Sequence, residues 1–298
     1  MNEYIEFKKK RELGDVLSDT FAFVRNQFKP FFNTFFKIVG PYLLVMMISL
    51  ALYMYFAGNS FNSILAGAGA GSGLEAANFA TMFIVAILYL VSLVTVYVMS
   101  QSTVLHYIKS YANGKGETNF DEIKSDVYKR FGSFLGLGFL VGISVMVGIM
   151  VCCIPGVYLW VPLSLSFSVL VFDQMGATES YGHSFKLVKD EWFITFATLL
   201  VMVIIVGIAS YAFSIPAAIY QYAKMGILSG EVDAESMGGL FQDPIYLFLN
   251  MVGALAQFLL NLFSVIAGAL IYFNLNERKN FTGTYERIQG LGENTDRL

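Results

Sequence analysis

Five stretches of this chain carry no charged side chain: residues 38–74, 76–108, 131–172, 192–223 and 245–276. Each is longer than the roughly 20 apolar residues that cross a bilayer. The 131–172 stretch has 42 residues; as one helix it would rise about 63 Å against a hydrocarbon core of about 30 Å. It therefore holds two crossings. The expected turn is Ile154-Pro155-Gly156, because proline lacks a backbone donor and glycine accepts a tight turn. The pattern predicts six membrane helices near 37–57, 79–105, 132–152, 156–172, 192–215 and 245–273, with Pro162 kinking the fourth unless neighbouring helices satisfy the freed carbonyl.

The polar stretches ahead of the first, third and fifth helices repeat apolar residues at helical spacing. Leu13, Val16, Leu17, Phe21, Val24 and Phe28 share one face; Phe120, Ile123, Val127 and Phe131 share another; Tyr181, Phe185, Val188 and Trp192 a third. Asn119 with Glu122 three residues on reads as a capping box. Aligning Val24, Val127 and Val188 places Phe28, Phe131 and Trp192 in register, a weak internal repeat of three units. The expected fold is all-α and polytopic: three transmembrane hairpins, each preceded by a cytoplasmic interfacial amphipathic helix. Such helices lie in the headgroup plane or serve as connectors packed on the bundle. The expected division is an amphipathic segment over 1–36, a six-helix membrane domain over 37–276 and a cytoplasmic tail over 277–298. Gly67 to Gly73 reads GAGAGSG, a flexible link without chemistry.

Basic residues orient the helices. Eighteen of the 19 Lys and Arg fall in the N-terminal segment, the 109–130 and 173–191 loops and the tail, and Lys224 alone falls on the other side. Both termini are thus expected in the cytoplasm. Residues 1–11 are polar and charged, so no cleavable signal is expected and the first helix should remain as an anchor. Composition agrees with a membrane protein, at 56% hydrophobic and 14% charged against about 25% charged in soluble domains. A net charge of −3 disfavours nucleic acid. The expected setting is the bacterial cytoplasmic (inner) membrane, with lipids and other integral membrane proteins as partners.

Candidate chemistry is sparse. No Asp, Glu, Arg or Lys lies inside the predicted spans except the edge residue Lys37, so a carboxylate proton relay, a charged ion path or a voltage sensor lacks its residues. His106 is expected at an interface. Cys152 and Cys153 are adjacent, which is neither a zinc-type nor a redox spacing, and they read as small packing residues. There is no P-loop, no nucleophile with its base and no metal-binding histidine set, so no catalytic residue, cofactor or metal is expected. Asn250, Gln257, Asn261 and Ser264 share a face of the last helix, as hydrogen-bonding glue between helices or as a substrate-lining stripe. Gly138 and Gly142, with Gly132 and Gly136, suit close helix packing. Lys8, Lys9, Lys10, Arg11, Lys129, Arg130, Lys186, Lys189, Arg278 and Lys279 are candidate contacts to anionic headgroups.

Residues 154–161 (IPGVYLWV), 170–172 (LVF), Glu179 and 184–189 (SFKLVK), ending at Trp192-Phe193, resemble the six-helix membrane domain fused to some bacterial glycerophosphoryl diester phosphodiesterases. They are equally similar to stand-alone membrane proteins of that superfamily. The resemblance covers nearly the whole chain in layout and is concentrated at 154–193. In the fused enzymes the chemistry belongs to a (β/α) barrel of about 250 residues, whereas 21 residues follow Glu277; the enzymatic role is therefore not expected to carry over. The expected function is that of a non-catalytic scaffold or subunit of an envelope complex, and the alternative is a permease or lipid transporter for an apolar or zwitterionic substrate. Once Cys152 and Cys153 are replaced by serine, single cysteines in the 109–130 loop and at Ser229 should label from opposite sides. Labelling of both from outside removes the six-span topology.

Overall fold

The computed structural model describes residues 4–65, 73–226 and 239–295. Within them no strand occurs. Six segments are long and apolar enough to cross a membrane: Phe28–Gly58, Ala77–Asn113, Phe131–Val151, Cys153–Phe172, Ala177–Lys224 and Pro244–Asn280. The chain is an all-α, multi-pass membrane protein. The order is α1 (Leu13–Asn26), α2 (Phe28–Leu65), α3 (Gly73–Asn113), α4 (Phe120–Lys129), α5 (Phe131–Val151), α6 (Cys153–Ser164), α7 (Ser166–Phe172), α8 (Ala177–Val188), a 3-10 turn (Lys189–Glu191), α9 (Trp192–Lys224), α10 (Pro244–Asn280) and α11 (Thr282–Thr295). Residues 67–72 of the glycine-rich link lie outside the described residues, as does Ser229.

Four helices overrun the spans that hydropathy predicts. The 38 residues of α2 rise about 57 Å, nearly twice a hydrocarbon core. A helix satisfies its own backbone in water as well as in lipid, so nothing requires it to end where the apolar run ends. The fold consists of two compact units, and each takes one stretch of every long helix. One comprises residues 1–38, 98–205 and 262–298, and the other 39–97 and 206–261. These units interleave along the sequence.

The first unit is built around aromatic rings. Phe7 and Phe23, both fully buried, meet edge to face at 5.3 Å. Phe23 meets Tyr111 at 5.2 Å, and Phe31 meets Tyr107 at 5.1 Å. These are the geometries that aromatic quadrupoles favour. The N-terminal segment is held among them, with Ile5 N–H donating to Tyr111 Oη at 3.0 Å. In α1, Val16 and Val24 of the expected face are buried together with Thr20 and Phe23, while Phe21 is exposed, as is Phe28 at the start of α2. In α4, Ile123 and Val127 are buried as the pattern predicts. Asn119 caps α4 by accepting from Asp121 N and Glu122 N, but its own N–H goes to Ser110 Oγ, so the reciprocal half of the expected box is supplied from α3.

The turn between α5 and α6 falls at Cys152, which is extended (φ −169°, ψ 150°), and not at 154–156. Proline fits the first helical turn, where its missing N–H has no intrahelical partner to lose, so Pro155 lies inside α6. Both cysteines are exposed and contribute no packing. Pro162 lies inside α6, and the Tyr158 carbonyl that it leaves without a helical donor accepts from Trp192 Nε1 at 3.3 Å; the helix ends at Ser164, where Leu165 N–H turns back to Pro162 O at 3.1 Å. Close approach of α5 and α6 occurs at Gly148 and Gly156, where a Cβ on Gly156 would stand 2.9 Å from Ile149 N. Nothing lies within 4 Å of a Cβ built on Gly132, Gly136 or Gly142, and Gly138 would meet only Phe167 at 3.9 Å. The spaced glycines of α5 therefore mark no tight interface among the described residues. Gly156→Ala should lower stability by about 1–3 kcal/mol, read as a lower Tm in detergent, and Gly142→Ala should be neutral or slightly stabilising. Equal effects of the two would contradict this hairpin.

Candidate functional site

The cations expected at lipid headgroups divide by environment, all within the first unit. Arg11 is not surface-facing: it is 2% exposed. Its Nε donates to Asp19 at 2.9 Å and its Nη1 to Phe7 O at 2.6 Å, and Nη2 bonds the carbonyl of Glu6. Its backbone is held as firmly, with N–H donating to Asn274 Oδ1 at 2.8 Å and O accepting from Arg278 Nη2 at 3.2 Å. A guanidinium suits this position because its planar fork satisfies several acceptors at once. Burial lowers the Arg11 pKa, against the opposing pull of the Asp19 hydrogen bond and charge. Burial raises that of Asp19, but hydrogen bonds from Arg11 and Lys9 and their charges outweigh it and leave the carboxyl below its ordinary range.

Most of the other candidates are also engaged. Lys8 pairs with Glu286, Lys9 with Asp19 at 3.0 Å, Arg278 with Glu191 at 3.1 Å and Lys279 with Asp190 at 3.0 Å. Lys10 stands 4.4 Å from the centre of the Phe281 ring, and Arg130 donates to Leu170 O at 2.8 Å. The tail joins the same network through a helix that hydropathy does not predict. Buried Glu277 accepts from Gly283 N at 2.7 Å and Thr284 N at 3.1 Å, capping the donors that open α11. Lys129, Lys186 and Lys189 are exposed and form no salt bridge among the described residues.

His106 is buried: its Nδ1 faces Ser102 O at 2.8 Å, and its ring lies 6.0 Å from Phe134. Among the described residues no group of three or more His, Cys, Asp and Glu stands close enough to hold a metal ion.

The second unit holds a site that could take a small molecule. A cleft of about 360 Å³ opens among its four helix segments, lined by Leu50 and Met54 of α2, Tyr89 of α3, Ser214 and Gln221 of α9, and Asn250 and Gln257 of α10. Two of the four polar residues on the last-helix stripe therefore share one cavity. Asn261 is exposed away from it, and Ser264 belongs to the first unit. None of the four forms an interhelical side-chain hydrogen bond among the described residues; Asn250 Nδ2 donates to Tyr246 O of its own helix at 2.9 Å. Ser214 likewise gives its proton to Tyr211 O at 2.7 Å. The Asn250 side-chain carbonyl, the Tyr89 hydroxyl and the amides of Gln221 and Gln257, all on residues that line the cavity, make no hydrogen bond among the described residues. Those groups offer donors and acceptors without charge. Ser214 and Gln221, seven apart on α9, share a helical face and could have been read from spacing. Tyr89 carries no such signal.

No family model matches the chain, and no curated protein or solved structure is similar to it.

Two outcomes follow for the buried ion pair. Arg11→Gln should destabilise the fold by about 3 kcal/mol and expose residues 4–26 to protease. The Asp19 carboxyl is depressed by folding, so its stabilisation is complete above its unfolded value of about 3.9 and is lost as pH falls through its lower folded value. Comparison of wild type with Asp19→Asn should therefore show a difference that is constant near neutral pH and vanishes in acid below that value. A difference that persists in strong acid would contradict the pairing.

Proposed function

We propose that the protein holds an uncharged or zwitterionic amphiphile, lipid or lipid-like, among the helices of its second unit, in the manner of a permease or lipid transporter and without catalysing a reaction on it. The cleft carries this reading. Its wall is apolar, as a hydrocarbon chain requires, and is interrupted by five uncharged polar groups that can bind hydroxyl, ester or amide functions. Among residues whose side chains are described, the only charges of this unit are Lys224 and Asp243, and these pair with each other at 3.2 Å. No charged side chain lines the cleft itself, so an ionic ligand would meet no counter-ion in its wall.

The proposed setting is the bacterial cytoplasmic membrane with both termini inside, supported by the distribution of the basic residues. Membership of the membrane-domain superfamily rests on residues 154–193, whose fourth span has the most buried window of the six, at 61%. A scaffold role is favoured by one other feature. The window of α5 is the least buried, at 17%, and Phe139, Ile143, Met146 and Met150 form an exposed face at helical spacing that another integral membrane protein could cover.

The test is lipid retention by the full chain. Purified in mild detergent, wild type should retain about one zwitterionic or neutral lipid per chain by mass spectrometry. Gln221→Leu with Gln257→Leu should lose most of it while Tm stays unchanged. Equal retention by the variant would mean that the lipid is only annular, and the cleft reading would fail.

A further inference from the structure

A second pocket, of about 250 Å³ and belonging to the first unit, lies where α8 meets α9; Lys186, Lys189, Tyr158, Phe185 and Trp192 line it. The two lysines are three residues apart and share a face. Of the nearby acids, Asp190 pairs with Lys279 and Glu191 with Arg278, Glu179 lines a neighbouring pocket with Lys186 and accepts from Gly176 N–H at 3.2 Å, and no carboxylate lines this pocket. The aromatic wall is fixed: Trp192 stacks on Tyr158 at 5.5 Å and on Phe196 at 5.3 Å, and its indole N–H donates to Tyr158 O at 3.3 Å. With that donor satisfied, the rings present apolar surface. Beside the pocket, Val157 and Phe193 are exposed, Phe193 at 80%, so the apolar surface continues outward along the adjoining helices.

We propose that this pocket is a headgroup site for an anionic glycerophospholipid. Its phosphodiester lies between the ammonium groups of Lys186 and Lys189, and its glycerol and first methylenes lie against Tyr158 and Trp192. Paired cations match the headgroup charge. Tyrosine and tryptophan suit the boundary between headgroup and hydrocarbon, and the exposed valine and phenylalanine match the acyl chains. A soluble phosphate would use the cations alone and would need no apolar face. This site stands apart from the neutral cleft of the second unit and does not rest on it.

The chain has two tryptophans, Trp160 and Trp192, so Trp160→Phe leaves Trp192 as the sole reporter. In vesicles, shallow-brominated phosphatidylglycerol should quench Trp192 at a mole fraction on the order of tenfold lower than phosphatidylcholine brominated at the same carbons. Adding Lys186→Gln and Lys189→Gln should abolish the preference, whereas Lys115→Gln with Lys124→Gln should keep it. Glycerophosphate at millimolar concentration should not restore fluorescence. Equal quenching by the two lipids, or a preference that survives loss of both lysines, overturns the proposal, and displacement by glycerophosphate assigns the site to a soluble anion instead. If Trp160→Phe does not fold, the same lysine variants are compared by counting phosphatidylglycerol bound to the otherwise native chain in native mass spectrometry, with the same outcomes.

Discussion

Hydrocarbon does not solvate an ion, and that constraint decides where each charged side chain of this protein can stand. It empties long stretches of α2, α3, α9 and α10 of charge and gathers the cations into the N-terminal segment, the α3–α4 and α8–α9 connections and the end of α10. Lys224 and Asp243, the charges described in the second unit, pair with each other, and Asp243 also accepts from Tyr220 Oη at 2.7 Å. Hydroxyls in the helices obey the same rule on a smaller scale. Ser49, Thr95, Ser144 and Thr198 each donate to a carbonyl three or four residues back in their own helix. Thr95 and Thr198 need no partner helix for this, whereas Ser49 also meets Ser92 Oγ of α3 at 2.9 Å and Ser144 Oγ accepts from Tyr181 Oη of α8 at 3.0 Å.

Charge excluded from the spans becomes structural where it collects. Arg11 joins Asp19 of α1 to the carbonyls of its own segment, while its backbone is tied to Asn274 and Arg278 of α10. Beneath it, Phe7 meets Phe273 at 5.5 Å. The beginning and the end of the described chain are thus fastened to each other by ionic, hydrogen-bonded and aromatic contacts. A cationic N-terminus of this kind is held mainly by protein, which leaves Lys186 and Lys189 as the better-placed pair for lipid.

The helices were legible because absence of charge over more than 20 residues has few structural solutions in a chain this apolar. Local pattern failed where tertiary partners decide. Arg11 sits in a Lys-Lys-Lys-Arg run that reads as solvated, and its burial depends on Asp19 and on residues of α10 more than 260 positions away. Helix α11 begins where Glu277 reaches forward to its first turn, a cap that polar composition does not announce. Glycines spaced by four suggested a close interface on α5, but which glycine is touched depends on how α6 returns, and the return selects Gly148. Half of the last-helix polar stripe was found to face the cavity; Tyr89, Ser214 and Gln221 complete its polar lining from other helices.

The central claim is that the cleft of the second unit, lined by uncharged polar and apolar side chains alone, holds an amphiphile. The most direct measurement is electron cryomicroscopy of the full chain in a lipid nanodisc. The account predicts elongated density among Leu50, Tyr89, Gln221, Asn250 and Gln257, with its polar end against the two glutamine amides. Side chains packed in van der Waals contact across that space, with no density between them, would contradict it.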